Sequence, residues 1–314
     1  MSLNVLLLGC GRIAHAHAEA ISACSGVRLS TVCDIDVAAA QGLGAKYDVA
    51  AYTDASEALR KTTPEIVVIC TPPATHRALT IDCLQTGAHV LCEKPLGLNP
   101  QEVTAMNDAA QSAGRTLMMA SKFRFMPAAR ALKQRITAGE LGEILYFRVT
   151  FFAPVAMQGR MNADPVISGG GVVMDNGPHA FDLARCLLGP VTDVRGEWLP
   201  AAQNLEVEDG AILRFASECW PRARGEIGLS WSAHAATPYF VEVCGTLCSA
   251  SLLWDEYDKQ AAFAAQMEHF AAAARGECVP EISPADALAC ARAIDSVYSS
   301  VTSTAKSPDK FARF

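Results

Sequence analysis

The stretch NVLLLGCGRIA, residues 4–14, joins a short apolar run to a glycine turn and then to the start of a helix-like pattern. Gly9, Gly11 and Ala14 have the spacing G-x-G-x-x-A, in which the first glycine makes a tight turn and the second lets the backbone approach a pyrophosphate. The small third residue allows close packing of helix on strand, and the helix N-terminus offers unpaired N–H groups to the phosphates. Glycines also serve ordinary tight turns, so the surrounding sequence decides what the motif means.

The sequence around this motif alternates apolar runs with helix-like segments. The runs are rich in Val, Ile and Leu, and few of their positions alternate with polar residues, as expected for parallel strands covered on both faces. The alternation predicts an α/β fold with a doubly wound parallel sheet. The apolar runs lie at 4–9, 27–34, 65–70, 89–95 and 115–121, and the helix-like segments at 14–23, 37–46, 56–61, 75–86 and 100–113.

Asp34 ends the second apolar run, where a carboxylate can bind the ribose hydroxyls of a dinucleotide. Asp36 follows, and no neighbouring residue is an arginine that could bind the 2′-phosphate of NADP, so NAD is favoured over NADP. Arg12 could still reach a phosphate, which keeps NADP as the alternative. His15 and His17 follow on the helix and are expected to be structural. The residues expected to border the cofactor in this part of the chain are Gly9, Gly11, Arg12, Ile13, Ala14 and Asp34.

Two later runs end in loops that are expected to line the same cofactor, because strand ends of an open α/β sheet face the ligand crevice. The segment CTPPATH, 70–76, contributes Thr71, Pro72 and His76, and CEKP, 92–95, contributes Glu93 and Lys94. A cation directly after an apolar strand is expected to be partly buried. Burial lowers the pKa of lysines in general, and such a lysine can transfer protons.

The composition excludes several classes of protein. The 314 residues carry a formal net charge of −7 without a basic run, which argues against a nucleic-acid partner. Apolar residues make up 51% of the chain, yet no run is long enough to span a bilayer, and Asn4 interrupts too early for a signal peptide. We therefore expect a cytoplasmic protein with no membrane association.

The twelve cysteines show no C-x-x-C spacing, and most of them lie inside apolar runs. Cys244 and Cys248 have the spacing C-x-x-x-C but lack a second ligand pair. We expect free thiols that pack as small apolar side chains in a reducing compartment, and no metal site.

The segment MDNGPHAFDLARCLLG, 174–189, places Asp175 four residues before His179. A helix is expected to begin at Pro178, because proline suits a first turn where its missing N–H is not needed. The pair fits a helix cap beside a buried histidine, two metal ligands, or the acid–base end of an active site. A metal site would need a third ligand such as Asp182, and no recognised ligand signature is present.

Taken in order, these segments resemble the Gfo/Idh/MocA family of sugar and cyclitol dehydrogenases. The combination of Glu93-Lys94-Pro95 with Asp175-x-Gly177-x-His179 is the most specific part of the resemblance. Further matching segments are RFMP at 124–127, AGELGEI at 138–144, GGGVV at 169–173 and ADALACARAIDSVYSS at 285–300.

The resemblance implies two domains. Residues 1–121 would form a Rossmann dinucleotide-binding domain. Residues 122–314 would form an α+β domain for substrate binding and oligomerisation, with a large open, mainly antiparallel sheet and a final helix, at about 284–302, that packs back on the first domain. Strand-like runs at 144–152, 191–199, 210–215, 225–232 and 239–245 fit this sheet independently. A homodimer or homotetramer is expected. The stretch 245–270 is shorter than usual for the family, which suggests trimmed loops beside the substrate.

The resemblance also implies that Lys94, Asp175 and His179 act at the nicotinamide on a small-molecule substrate, a secondary alcohol of a sugar or cyclitol. His179 would be the general base, Lys94 would donate a hydrogen bond to the reacting oxygen, and Asp175 would orient the histidine or the substrate. Members of the family also have the lysine and histidine roles exchanged. An NAD-assisted glycoside hydrolase and a non-catalytic nucleotide sensor are the alternatives. Further candidate substrate contacts are Arg124, Arg160 and Asn162, which otherwise are solvated surface residues, and Asp182, which otherwise is a polar residue on a helix face.

Overall fold

Five predicted apolar runs form the parallel strands of a first sheet, with one additional short strand, in the order β3-β2-β1-β4-β5-β6. The computed structural model describes residues 2–304. The strands are Leu3–Leu8 (β1), Val27–Cys33 (β2), Ala50–Tyr52 (β3), Ile66–Ile69 (β4), His89–Glu93 (β5) and Leu117–Ala120 (β6). The helices between them are Arg12–Ala23 (α1), Val37–Tyr47 (α2), Ala55–Thr62 (α3), Pro73–Gln85 (α4) and Pro100–Ala113 (α5). The doubly wound parallel sheet is confirmed, and β3 was not predicted.

The order of the strands reverses between β1 and β4. The chain leaves β1 towards β2 on one side and later returns to β4 on the other side, so the turns after β1 and β4 meet at the carboxyl edge of the sheet. The residues of β4 are fully buried, as are Val5, Leu6 and Leu7 of β1. Burial of both faces explains why these runs lack polar alternation. Such a switch point is where open α/β sheets bind ligands.

The second sheet has six strands in the order β12-β11-β7-β10-β9-β8. Only β7 and β10 pair in parallel among the described strands of this sheet, so the predicted, mainly antiparallel character is confirmed. The strands are Ile144–Phe152 (β7), Val191–Trp198 (β8), Gly210–Ser217 (β9), Arg224–Ser230 (β10), Tyr239–Gly245 (β11) and Ser249–Leu253 (β12), the last of which was not predicted. The remaining α-helices are Pro127–Thr137 (α6), Pro165–Ser168 (α7), Val172–Leu188 (α8), Lys259–Ala274 (α9) and Pro284–Thr304 (α10).

One face of the second sheet packs against α8. Phe181 of α8 contacts Phe215 of β9, which in turn contacts Phe147 of β7. The opposite face carries half-buried side chains, among them Arg148, whose guanidinium lies 3.2 Å from the carboxylate of Glu242 on the neighbouring strand. The sheet is therefore apolar on its helix-covered face and mixed on the other.

Contacts group the described residues into two compact units. The first contains the residues up to Arg130 together with Tyr257–Ala291, and the second contains Ala131–Glu256 together with the described residues from Arg292 onward. This grouping follows contacts and not the course of the chain. The predicted division between residues 121 and 122, and the predicted packing of the last helix, stay predictions.

The start of α8 differs from the sequence-based expectation. The helix begins at Val172, and Pro178 lies inside it instead of at its first position. The reason is a distant carboxylate: Glu208 accepts hydrogen bonds from the N–H groups of Gly171 and Val173, which stabilises an earlier start. The expectation of a helix start at Pro178 was therefore wrong.

Seven of the twelve cysteines are buried, as expected for thiols that pack as small apolar side chains. Within residues 2–304, no helix combines the length and the hydropathy that a membrane span requires. In the same part of the chain, no group of three or more His, Cys, Asp and Glu side chains has the geometry to hold a metal ion.

Substitution of Gly9 by alanine should lower the free energy of unfolding by about 2–4 kcal/mol. Gly9 has φ +88°, and a Cβ there would lie 2.7 Å from the carbonyl carbon of Cys70. Gly11→Ala is the matched control, because no described atom lies within 4 Å of its Cβ position; it should change stability by less than about 0.5 kcal/mol. Urea unfolding measures both variants, and equal losses would contradict this interpretation.

Candidate functional site

Backbone hydrogen bonds join the end of β1 and the turn after it to the ends of β2 and β4. The N–H of Gly9 donates to the carbonyl of Cys33 at 2.8 Å, and the N–H of Cys70 donates to the carbonyl of Leu8 at 2.7 Å. The close approach of Gly9 to Cys70 and Thr71 leaves no room for a side chain at position 9. This contact brings the N-termini of α1 and α4 to the same edge of the sheet.

These two helix N-termini differ from those of α2, α3, α5 and α9. Aspartate or asparagine side chains cap α2, α3, α5 and α9. In the described part of the chain, no side chain caps α1 at Gly11 or α4 at Pro72. Their N–H groups and their positive helix ends are therefore available to an anion. Space for the anion exists beside Gly11, whose Cβ position is open to 4 Å among the described atoms.

Asp34 lies directly after β2, beside the glycine turn. Its Oδ2 accepts a hydrogen bond from the N–H of Cys10 at 2.6 Å, and its Oδ1 accepts one from the N–H of Asp36 at 2.9 Å. Each carboxylate oxygen can accept further donors, such as ribose hydroxyls. The next residue, Ile35, is 93% exposed. Burial, followed by the charge of Asp34, raises the pKa of Cys10 to about 12, so this thiol adds no negative charge near a phosphate.

His76 lies at the start of α4 and is fully buried. Its Nδ1 is 2.8 Å from the carbonyl oxygen of Pro95, and its Nε2 is 2.9 Å from the carbonyl oxygen of Thr71. Burial lowers the pKa of His76, although both carbonyl contacts oppose this effect. The ring thus connects the loops after β4 and β5. A direct contact of His76 with the cofactor stays a prediction, as do contacts of Thr71 and Pro72.

Glu93 ends β5 and is buried, with two protein partners for its carboxylate. Oε1 lies 2.9 Å from Nε2 of His17, and Oε2 accepts the N–H of Lys94 at 3.1 Å. Burial alone would raise the pKa of Glu93, but the hydrogen bond and charge of His17, with the charges of Lys94 and Lys122, lower it to about 2. Glu93 is therefore a buried anion at physiological pH. Its contact with the cofactor stays a prediction.

Lys94 follows Glu93 at the carboxyl end of β5 and is half-buried, as its position in the sequence predicts. The peptide bond from Lys94 to Pro95 is cis. The first unit thus brings Lys94 to the same sheet edge as the glycine turn and the loop with Thr71.

The second unit carries Asp175 and His179 on α8. The two residues are four apart in a continuous helix, so their side chains lie on one face. Asp175 is half-buried and its Oδ1 accepts a hydrogen bond from Nδ2 of Asn162 at 2.9 Å, whereas His179 is 5% exposed. The structure therefore brings Asn162 to Asp175 and places Asp175 and His179 on the same face of α8. Asp182, on the same helix, is fully buried.

Glu208 and Tyr298 are positioning side chains that sequence reasoning missed. Oε1 of Glu208 accepts hydrogen bonds from the N–H groups of Gly171 and Val173, each at 3.0 Å, and from the hydroxyl of Tyr298 at 2.8 Å. Burial raises the pKa of Glu208, and these neutral donors only partly oppose the effect. The three glycines before α8 were the available signal, since Cβ atoms at Gly170 and Gly171 would collide with Tyr298 and Glu208.

The remaining candidate substrate residues lie in different surroundings. Arg124 is 4% exposed and donates to the carbonyl of Glu281 at 3.0 Å, with Asp286 at 3.5 Å. These contacts account for its burial within the first unit. Arg160 is exposed in the loop that also carries Asn162. For both arginines, contact with a substrate stays a prediction.

The buried anion of Glu93 should make stability fall in acid. Its folded pKa of about 2 lies below its ordinary value of 4.5, so its stabilisation is present above pH 4.5 and is lost as the pH falls towards 2. Glu93→Gln should show a shallower loss of unfolding free energy between pH 5 and pH 2, measured by urea titrations. Glu19→Gln, which removes a half-exposed carboxylate, is the control and should keep the slope of the unchanged protein. If the unfolding free energy of all three proteins fell equally with pH, the stabilisation of the Glu93 anion by His17 and the lysines would be contradicted.

Two family models match the chain. Residues 3–121 match a model described as oxidoreductase family, NAD-binding Rossmann fold, and residues 129–251 match one described as GFO/IDH/MocA C-terminal domain. The levoglucosan dehydrogenase structure, solved with NADH and levoglucosan, aligns with a TM-score of 0.88 at 22% identity, over 96% of this chain and 98% of that one. The likeness to that structure shows the fold.

Curated relatives share parts of the sequence. D-glucoside 3-dehydrogenase of Escherichia coli (strain K12) is 30% identical over 225 residues, which are 65% of this chain and 64% of that protein. Inositol 2-dehydrogenase of Rhizobium meliloti (strain 1021) is 35% identical over 190 residues, which are 60% of this chain and 56% of that protein. The chain thus matches less than two thirds of the length of either relative. With both domain models matched in order, the chain belongs to the Gfo/Idh/MocA oxidoreductase family.

Proposed function

We propose that this protein is an NAD-dependent dehydrogenase that oxidises a secondary alcohol of a sugar or cyclitol, or reduces the corresponding ketone. The observation that carries the proposal is the pair of uncapped helix N-termini beside the Gly9–Gly11 turn, at the switch point of a parallel sheet. This geometry suits a pyrophosphate. The relatives named as glucoside and inositol dehydrogenases support the substrate class.

The residues at the switch point fit the dinucleotide. The open space beside Gly11 would receive the pyrophosphate against the N-terminus of α1, and Ala14 is fully buried, as close helix–strand packing requires. The carboxylate of Asp34 would accept the ribose hydroxyls and repel a 2′-phosphate, which favours NAD. Bound nicotinamide supplies the carbon that accepts or donates hydride.

We infer that Lys94, Asp175 and His179 carry out the proton transfer. An imidazole nitrogen of His179 would accept the hydroxyl proton of the alcohol as hydride leaves its carbon. The ammonium of Lys94 would donate a hydrogen bond to the reacting oxygen and stabilise its developing charge. Asp175, on the same helical face as His179 and held by Asn162, would orient the imidazole or a substrate hydroxyl.

The decisive experiment is a panel of sugars, polyols and inositols with NAD and with NADP, followed by nicotinamide absorbance. Release of free NADH with one of these alcohols supports the dehydrogenase. Redox-neutral cleavage of a glycoside, with no net NADH, would show the hydrolase instead. Binding of NAD without turnover of any of these alcohols would show a sensor. The expected cytoplasmic location stays part of this proposal.

Lys94→Ala and His179→Ala should each lower turnover by about two powers of ten or more, in line with general acid–base contributions. The turnover of Asp175→Asn should lie between that of these variants and that of the unchanged protein, because asparagine keeps the shape of the side chain and loses its charge. The NAD dissociation constant, measured by calorimetry, should change little, since the phosphate-facing turn is untouched. Near-normal turnover by His179→Ala on a confirmed substrate would make the histidine a structural residue.

We also propose a homodimer or homotetramer built on the mixed face of the second sheet. Half-buried side chains such as Thr150, Ile212 and Phe152 lie there beside the charged pair of Arg148 and Glu242. Open sheet faces of this kind are usually covered. A second copy would provide both apolar surface and complementary charges.

Light scattering at micromolar concentration should therefore show a dimer or tetramer. Ile212→Arg should shift the protein towards the monomer, because a charge on this face opposes burial. Leu247→Arg is the control: it replaces a side chain that is 74% exposed in the turn between β11 and β12 and should leave the assembly unchanged. A monomeric unchanged protein would overturn the proposal.

A further inference from the structure

Two buried histidines hold the backbone on either side of Lys94. His17, which is 1% exposed, contacts Oε1 of Glu93, the residue before the lysine. The other oxygen of Glu93 accepts the N–H of Lys94 itself, at 3.1 Å. The position of the lysine backbone therefore depends on a carboxylate whose orientation is set by His17.

His76 holds the other side of the same turn. Its Nδ1 is 2.8 Å from the carbonyl oxygen of Pro95, the residue after the lysine, and its Nε2 is 2.9 Å from the carbonyl oxygen of Thr71. Burial lowers the pKa of His76, and a neutral imidazole has one N–H, so the ring donates a hydrogen bond to one of these two carbonyl oxygens, and the tautomer decides which one. The ring is fully buried and cannot exchange these partners for water.

The helices that carry the two histidines are the ones that begin at the switch point. His17 lies on α1 and His76 on α4, and both helices have N-termini without side-chain caps in the described part of the chain. The helices expected to face the phosphates therefore also hold the turn that presents Lys94. The placement of the lysine is coupled by direct contacts to the elements that would bind the cofactor.

We propose that His17 and His76 are positioning residues for Lys94, acting through Glu93 and through the carbonyl of Pro95. This inference rests on the proposed function, because it concerns the lysine of that reaction. Neither histidine needs to touch substrate or nicotinamide. Each fixes one end of the turn, so that the ammonium meets the reacting oxygen at a defined place.

Loss of His17 should release Glu93 rather than simply remove one contact. A buried carboxylate that loses its partner is strongly destabilised and turns towards water. Oε2 would then leave the N–H of Lys94, and the lysine would lose its defined position. Displacement of a catalytic group by about 1 Å can cost about a hundredfold in rate. Phe263, whose ring meets the His17 ring edge-on at 4.8 Å, limits other positions for a side chain there.

The first experiment compares His17→Leu, His17→Gln and His15→Leu. His17→Leu should lower kcat by about 10- to 100-fold, whereas KM for the alcohol and the NAD dissociation constant stay within about threefold. His17→Gln should recover most of kcat, because its amide can donate to Glu93 where Nε2 of the histidine does. His15→Leu, on the exposed side of α1, is the matched control and should keep full activity. His76→Phe, which keeps a ring without donors, should behave like His17→Leu.

A readout independent of turnover is amide exchange at Lys94. Its N–H is bonded to Glu93, so hydrogen–deuterium exchange at this residue should be at least about tenfold faster in His17→Leu than in His15→Leu. Unchanged protection of the Lys94 amide would overturn the inference. A loss of NAD affinity as large as the loss of kcat would also overturn it, since His17 would then serve the cofactor site as a whole.

A double-mutant cycle separates failure of this inference from failure of the proposed function. In a Lys94→Ala background, His17→Leu should have no further effect on the residual turnover. If Lys94→Ala itself is nearly fully active, the proposed role of the lysine fails. If Lys94→Ala is strongly impaired and His17→Leu lowers turnover by the same factor in both backgrounds, the positioning role fails. Should His17→Leu not fold, Glu93→Gln takes its place in the cycle.

Discussion

The approach of Gly9 to the end of β4 is the constraint on which the carboxyl edge of the first sheet depends. A Cβ at position 9 would lie 2.7–2.8 Å from backbone atoms of Cys70 and Thr71, so the turn after β1 can pass there only as glycine. Because β1 and β4 are neighbours across the point where the strand order reverses, this contact places the starts of α1 and α4 side by side. The other candidate cofactor residues of this unit lie at the same edge of the sheet as the N-termini of these two helices.

Each unit uses one carboxylate, the buried Glu93 or the half-buried Glu208, to hold the segment that carries its candidate proton-transfer residues. Glu93 accepts from His17 and from the backbone of Lys94, and Glu208 accepts from the first N–H groups of α8 and from Tyr298. Burial raises the pKa of both carboxylates, but for Glu93 the hydrogen bond of His17 and the charges of His17, Lys94 and Lys122 outweigh burial and lower the pKa to about 2, whereas the pKa of Glu208 stays raised. The same residue type is thus stabilised by ion pairing in one unit and by helix capping in the other.

The sequence predicts the parallel sheet well, because strands buried on both faces leave long apolar runs separated by helical periodicity. It misses β3 and β12, which are three and five residues long and contain one buried residue between them, so no burial pattern marks them. It places the start of α8 six residues late, since Pro178 is a strong local signal whereas the stabilising carboxylate is 35 residues or more away. It offers Arg124 as a substrate contact or otherwise a solvated surface residue, and the second alternative is wrong, because contacts with residues more than 150 positions away bury the side chain.

Residues that perform chemistry are easier to recognise in a sequence than residues that position them. Lys94, Asp175 and His179 stand out because a lysine after a strand and an acid–histidine pair are unusual in their local context. His17 does not stand out, since its partner Glu93 is 76 residues away and a histidine on a helix has many ordinary uses. A buried carboxylate needs hydrogen-bond donors, but its position in the sequence does not indicate which residues supply them. The residues that position a catalytic turn are therefore identified from the structure, as the hydrogen-bond partners of each buried charged group.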